Sequence, residues 1–364
     1  MSDAFEYVFT ALRGIQAGRE YYLAMCPLRL IPKMFLFDEE ELAPQVRAQR
    51  TINRARVPEI ARYMLDNPKD YVFSAITASV DGTVSFKAIN NDNPKVGRLT
   101  IPMSARFVIN DGQHRRAAVE EALAQCPDFA DETISVVLFI DAGLKRSQQM
   151  FADLNRHAVR PTRSIGVLYD HRDPLSQLAR DIAVEVEVFK GLTEVEKTTI
   201  SNRSKKLFTL SSIYSSTRRL LRKGPKAEVS SDEAALAKEF WTEVASNMPD
   251  WCAAARGEVA SAELRSDFIH SHGVALQALA IAGADLLAAH PKTWKKKLQA
   301  LHKVDWARNN AELWEGRATI GGKVSKAEAN VKLTANVLRQ TLDVPLGAED
   351  AKAEKRFSSR REAA

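Results

Sequence analysis

The chain is poor in the residues that build disulfide frameworks and metal sites. It has 3 cysteines in 364 residues, Cys26, Cys126 and Cys252, spread far apart along the chain, with no CxxC pair and no Cys/His ligand spacing. That pattern excludes a disulfide-stapled fold, argues against a structural zinc, and fits a reduced, cytoplasmic setting. The 7 histidines are scattered as well; His270 and His272 fall in a stretch read as helical and are assigned packing or surface roles. Apolar runs such as Ile134–Ile140 fall far short of the roughly 20 residues that cross a bilayer. The opening segment carries an acid early and no basic stretch before an apolar run, so no secretion signal is expected. There is no internal repeat and no low-complexity linker. The motifs His-Glu-x-x-His, Gly-x-Ser-x-Gly and the Rossmann glycines are missing too. Gly316–Lys323 only superficially follows a P-loop, because Arg317 stands at its first glycine and Val324 at its magnesium-binding Ser/Thr.

Acid is missing locally where base is dense. Net charge is +6, and Ser201–Lys226 contains Arg203, Lys205, Lys206, Arg218, Arg219, Arg222, Lys223 and Lys226 without one carboxylate. Lys292, Lys295, Lys296 and Lys297 form a second cluster around Trp294. Concentrated positive charge is what a phosphate backbone selects, and the plainer alternative is a solvated helix face. Trp294, Trp306 and Trp314 lie near basic residues, where they stack on bases or, as the simpler expectation, pack in the core.

Hydrophobic content of 45% supports at least one sizeable core. The first part alternates strands and helices. Tyr21–Cys26 reads as a strand stopped by Pro27, Pro44–Leu65 as mostly helix, and Tyr71–Val80 as a strand turning at Asp81-Gly82 into Thr83–Ile89. Arg106–Asn110 is a short strand, Gln113–Gln125 a helix, Thr133–Ile140 the clearest strand, and Leu144–His157 a helix. Strand signals then fade, and amphipathic helices follow at Ser231–Ala245, Ile269–Ala289 and Ala327–Leu342, the last with Ser325 and Glu328 as a capping box. The expectation is an α+β class: a mixed domain over 1–165, a mainly helical one over 166–346, and a charged, disordered tail over 347–364.

The stretch richest in chemistry is Phe107–Arg116, where an apolar strand meets Asp111-Gly112 and a helix begins at once. Such a junction points backbone N–H groups and a helix dipole at an anion. Asp111, Gln113, His114, Arg115 and Arg116 crowd a carboxylate, an amide, an imidazole and two guanidiniums into its first turn. On residues alone two readings stand: Asp111 caps the helix and the arginines are solvated, or the turn binds a phosphate with Asp111 holding a metal or a water.

Asp111-Gly112-Gln113-His114-Arg115 is the signature of the DGQHR-domain proteins of DndB type, and the chain is similar to that family, itself similar to the ParB/sulfiredoxin superfamily. The likeness extends upstream through Gln49–Val57, Tyr63 and Asn67-Pro68, downstream through Phe151–Thr162 with Asn155 and Arg156, and to Asn330–Asn336, spanning roughly 20–345. It implies a ParB/sulfiredoxin-like first domain and a DNA-binding repressor of an operon that installs phosphorothioate groups in DNA. An anion site would gather Arg54, Arg56, Gly112, Arg115, Arg116, Asn155 and Arg156. Backbone contacts to double-stranded DNA would come from Arg203, Lys205, Lys206, Arg218, Arg219, Arg222 and Lys223. The rival expectation is an enzyme of the same ancestry, a nucleoside triphosphatase using magnesium or a nuclease, with Asp111, Gln113, His114 and Arg115 as catalytic residues. A third is a non-catalytic subunit that meets other phosphorothioation proteins. Self-association is left open, and neither a membrane nor a resident metal is expected.

Overall fold

The computed structural model describes residues 5–35, 54–140, 143–156, 161–201, 203–225 and 227–362. Two compact units divide the chain, 1–159 and 160–364. The upstream half of the helix expected over Pro44–Leu65, together with Arg50, lies outside the described residues.

The first unit is built on strands β1 Glu6–Gln16 and β2 Arg19–Pro27, short helix α1 Ile31–Met34, and helix α2 Val57–Asp66. Then come β3 Ile76–Asp81, β4 Ser85–Ala88, β5 Val96–Pro102 and β6 Arg106–Asp111. Helix α3 Gln113–Gln125, strand β7 Thr133–Ile140 and helix α4 Gly143–Arg156 complete it. One seven-stranded mixed sheet runs β4-β5-β1-β2-β7-β3-β6, with β3 parallel to β7. The β1–β2 hairpin turns on Ala17 and Gly18, both at positive φ as a tight two-residue turn requires.

Asp81-Gly82 does not make the expected hairpin, since β3 pairs with β6 and β7 while β4 pairs with β5. Local turn chemistry is satisfied but long-range pairing takes the strands elsewhere. Only residues 82–84 join β3 to β4, a reach of about 14 Å. The sheet order would set those strands about 24 Å apart if flat. The sheet is therefore strongly curled, and Ala105 comes close enough that a Cβ on Gly82 would lie 3.0 Å from its methyl. Alternate residues fill the inside of the curl: Phe9 and Ala11, Ala24 and Cys26, Ile76, Ala78 and Val80, Leu99 and Ile101, Val136 and Leu138. Ile31 and Met34 of α1, Ala61 and Met64 of α2, and Ala118, Val119 and Ala122 of α3 close that core. The strand expected from Tyr71 begins only at Ile76, because the rings of Tyr71 and Phe73 pack on Tyr63 and Phe129 instead of pairing in the sheet.

The second unit is mainly helical. Its elements are α5 Arg163–Tyr169, α6 Pro174–Glu185, short strands β8 Thr193–Glu194 and β9 Phe208–Thr209, α7 Leu210–Leu220, α8 Ser231–Ser246 and α9 Pro249–Arg256. There follow α10 Ser261–Asp267, α11 Gly273–Ala289, α12 Trp294–Leu298, α13 Ala311–Trp314, and the ribbon β10 Thr319–Ile320 with β11 Lys323–Val324. Helices α14 Glu328–Thr341 and α15 Ala348–Glu362 end it. Helix α11 is apolar nearly all round and is buried, packed by α7 and α14. Its Gly283 admits the Phe240 ring of α8, where a Cβ would lie 2.2 Å away. Trp294, Trp306 and Trp314 are all buried in this core, which removes them as base-stacking platforms.

Two further expectations are corrected. Ser325 does not cap α14: the helix starts at Glu328 after Ala327, while the Ser325 hydroxyl donates to Asn330 Oδ1 at 2.9 Å. The capping box occurs instead at Ser230 and Glu233 on α8. The tail expected to be disordered forms α15, because Phe357 supplies an aromatic anchor beneath Arg317, whose guanidinium carbon lies 4.3 Å from the ring centre, and Glu354 pairs with Arg317.

Candidate functional site

The Asp111–Arg116 turn sits where β6 passes into α3. Gly112 is the N-cap at φ +105°, a conformation that L side chains avoid. A Cβ there would also stand 3.1 Å from both Arg115 Nη2 and Ile76 Cγ1. The glycine lets the Arg115 guanidinium fold back over the turn. Arg115 Nη2 donates to Asp111 Oδ2 at 2.6 Å and to the Ala75 carbonyl at 3.0 Å. Asp111 therefore does not cap the helix, where no side-chain cap forms; its carboxylate orients Arg115. Two donors in the turn, Arg115 Nε and Gln113 Nε2, are buried without a partner among the described residues. Buried donors of that kind call for an acceptor, and a ligand oxygen is one.

The other motif residues divide. His114 is held below its ordinary pKa, first by burial and then by the charges of Arg56 and Arg115, with Asp111 opposing. Arg56 is thus electrically coupled to the turn. Arg116 is buried and committed elsewhere: Nε donates to the Phe35 carbonyl at 2.8 Å, Nη2 to the Pro32 carbonyl at 3.1 Å, and Nη1 pairs with Glu120. It clamps α3 to the end of α1 and has left the anion group expected from the sequence. Arg54 opens the 3₁₀ turn before α2, and Asn155 and Arg156 end α4, but their side chains lie outside the described residues.

Three residues missed in the sequence fix the turn from behind. Register shifts where Thr77 faces Asp111 and Ala78 faces Ile109, which leaves Asn110 as the extra residue of a β-bulge. Asn110 is fully buried, donates to Ser79 Oγ at 2.7 Å and accepts from Ser147 Oγ of α4 at 2.7 Å. This relay pins α4 against β6 one residue before Asp111. Its only sequence signal is an amide inside an apolar strand.

The basic run of the second unit is neutralised in space more than in sequence. Arg219 makes a two-pronged bond to Glu328 at 2.6 and 3.0 Å, Arg222 pairs with Asp285 at 2.5 Å, and Lys223 with Glu233 at 2.8 Å. Lys206 Nζ donates to the Gly191 carbonyl at 2.8 Å. Among the described residues Arg203, Lys205 and Arg218 have no carboxylate partner. In the second cluster Lys295 pairs with Glu239 and Lys297 with Asp343, leaving Lys292 and Lys296 exposed. In the P-loop-like segment, Glu315 accepts the Gly321 and Gly322 N–H groups, so that turn is already supplied with an anion.

Among the described residues no three His, Cys, Asp or Glu side chains gather as a metal site, and no helix is long and apolar enough to cross a membrane. The donor set at the DGQHR turn suits a phosphate oxygen better than a magnesium ion, since Asp111 is already engaged by Arg115. No curated protein and no solved structure matches the chain. A family model does, over residues 9–345, nearly the whole length. The chain belongs to the DndB family of DNA-sulfur modification-associated proteins.

Proposed function

We propose that this chain is a DNA-binding repressor of the operon that carries out DNA phosphorothioation. The observation that carries the reading is family membership joined to a net charge of +6, part of it on cations that no carboxylate offsets among the described residues. Arg203, Lys205, Arg218, Lys292 and Lys296 supply the phosphate contacts; Arg219, Arg222 and Lys223, being paired, serve the fold. Base reading needs a further element, and sequence-specific retention rests on it.

The two sets of cations separate under salt. Replacing Arg203, Lys205 and Arg218 by Ala flattens log affinity against log salt by about 0.9 for each phosphate that is no longer neutralised. Replacing Arg219, Arg222 and Lys223 leaves that slope nearly unchanged and lowers thermal stability. The reverse assignment in a salt titration with double-stranded DNA would remove the unpaired set from the interface.

A second reading is favoured by the two unpartnered donors beside Asp111. In it the DGQHR turn binds a nucleoside triphosphate, with Arg115 and Gln113 on phosphate oxygens. Partnership with other phosphorothioation proteins and self-association are compatible with either reading.

A further inference from the structure

A cavity of about 420 Å³ opens in the second unit at the N-terminus of α11. That volume lies in the range of small-ligand pockets and is of the order of a mononucleotide. Among the described residues lining it there is no Asp or Glu, whereas Arg265, Arg308 and Lys326 all reach it. Such a one-sided lining is unusual within a unit whose other basic side chains so often find carboxylates.

The donors converge on one point. A Cβ on Gly273, the first residue of α11, would lie 2.7 Å from Ser212 Oγ and 3.1 Å from Lys326 Nζ. The ammonium, the hydroxyl and the helix terminus are therefore within one oxyanion's reach of each other. No side chain caps this helix. Its first N–H groups and dipole add to the same field. Lys326 has no hydrogen-bond or ion-pair partner among the described residues. It stays open to water in the cleft, yet the protein crowded around it depresses its ammonium below the ordinary lysine value. Arg308 spends one donor on the Gly322 carbonyl at 2.8 Å and keeps the rest of its fork. Arg265 is the exception, since carbonyls of Ser201, Ser204 and Lys206 consume its guanidinium; it supplies charge and holds the wall.

His272 reports the resulting potential. Its Nε2 lies 2.8 Å from the Arg265 carbonyl, which can only accept, so Nε2 carries a proton. Burial lowers its pKa most; the bond to the Arg265 carbonyl opposes that, and the charges of Arg308, Lys326 and Arg265 lower it further, with no carboxylate opposing. Ile200, Leu207 and Phe208 add apolar surface to the lining. The site thus offers both directional donors and apolar surface.

We propose that this cavity binds a small phosphorylated ligand of about mononucleotide size, its phosphate held by Lys326, Arg308, Ser212 and the N-terminus of α11. Such a ligand acts as an effector of the chain, through a site lined by residues of the second unit. A duplex is too wide to enter, so DNA is the competing source of phosphate that the test must separate.

The test uses the full chain in chloride buffer of fixed ionic strength, titrated calorimetrically with inorganic phosphate and with AMP, beside a duplex titration. The parent binds AMP saturably and more tightly than phosphate. Lys326→Ala and Arg308→Gln each weaken AMP by about tenfold or more, the scale of one charge-assisted hydrogen bond. Both variants keep the parent's melting temperature without ligand, and Lys352→Ala on α15 keeps the parent's affinity. Absence of saturable AMP binding overturns the proposal, as does AMP binding that both variants retain. Variants that lose duplex affinity while the parent ignores AMP would assign the cavity to DNA and overturn it as well. Should Arg308→Gln unfold, Lys326→Ala alone decides, because that side chain bonds to nothing among the described residues.

Discussion

At the scale of single residues, the DGQHR turn is organised by a glycine and an ion pair. Gly112 is at φ +105° with Arg115 laid across it, so Gly112→Ala both strains the backbone and pushes the guanidinium away. The expected loss is about 1–3 kcal/mol in urea denaturation, the cost of a non-glycine residue in such a conformation. A variant as stable as the parent would show that the turn relaxes freely. Buried imidazoles give a second residue-scale expectation. His272 is lowered from 6.5 to about 4, chiefly by burial, and His270 is lowered the same way despite its bond to Asp250. Between those values the unfolded chain binds more protons than the folded one, so stability rises with pH. The stabilising contribution is whole above pH ~6.5 and drains away as pH falls toward ~4. Denaturation midpoints measured across that window should fall with acid, and less steeply in His272→Gln; a flat profile in the parent contradicts the burial.

At the scale of elements, the strand–helix junctions were the legible part. Helix α3 and strand β7 were readable to the residue because an apolar rhythm and a motif agree there. The β3–β4 hairpin was not, since pairing is decided by strands far along the chain, and Asp81-Gly82 specifies only a bend. Nor was the relay behind Asp111, because Asn110 meets Ser147 from a helix 37 residues on. The basic run misled for the same reason: the acid that answers Arg219 is Glu328, 109 residues away. In the candidate site, Asp111, Gly112 and Arg115 were legible from their crowding, whereas the commitment of Arg116 depended on the carbonyls of Pro32 and Phe35. The relay has its own consequence. Asn110→Ala removes the buried amide that joins Ser79 to Ser147 and should cost about 1–3 kcal/mol of unfolding free energy. It should also loosen α4, read as faster hydrogen exchange over 143–156. Unchanged exchange there would show that α4 is held by packing alone.

At the scale of the whole molecule, a curled mixed sheet carries the DGQHR turn, and a helical unit carries both the mononucleotide-sized cavity and cations that have no carboxylate partner among the described residues. Family membership ties the chain to DNA sulfur modification; repression is the specific role proposed for it. The most direct measurement is the affinity of the full chain for the DNA immediately upstream of its own operon, against a scrambled duplex of equal length, with and without magnesium and a nucleoside triphosphate. The account predicts preferential retention on the upstream DNA without nucleotide. Equal affinity for the two duplexes, with turnover of the nucleotide that vanishes in Asp111→Ala, would contradict it and favour the enzyme.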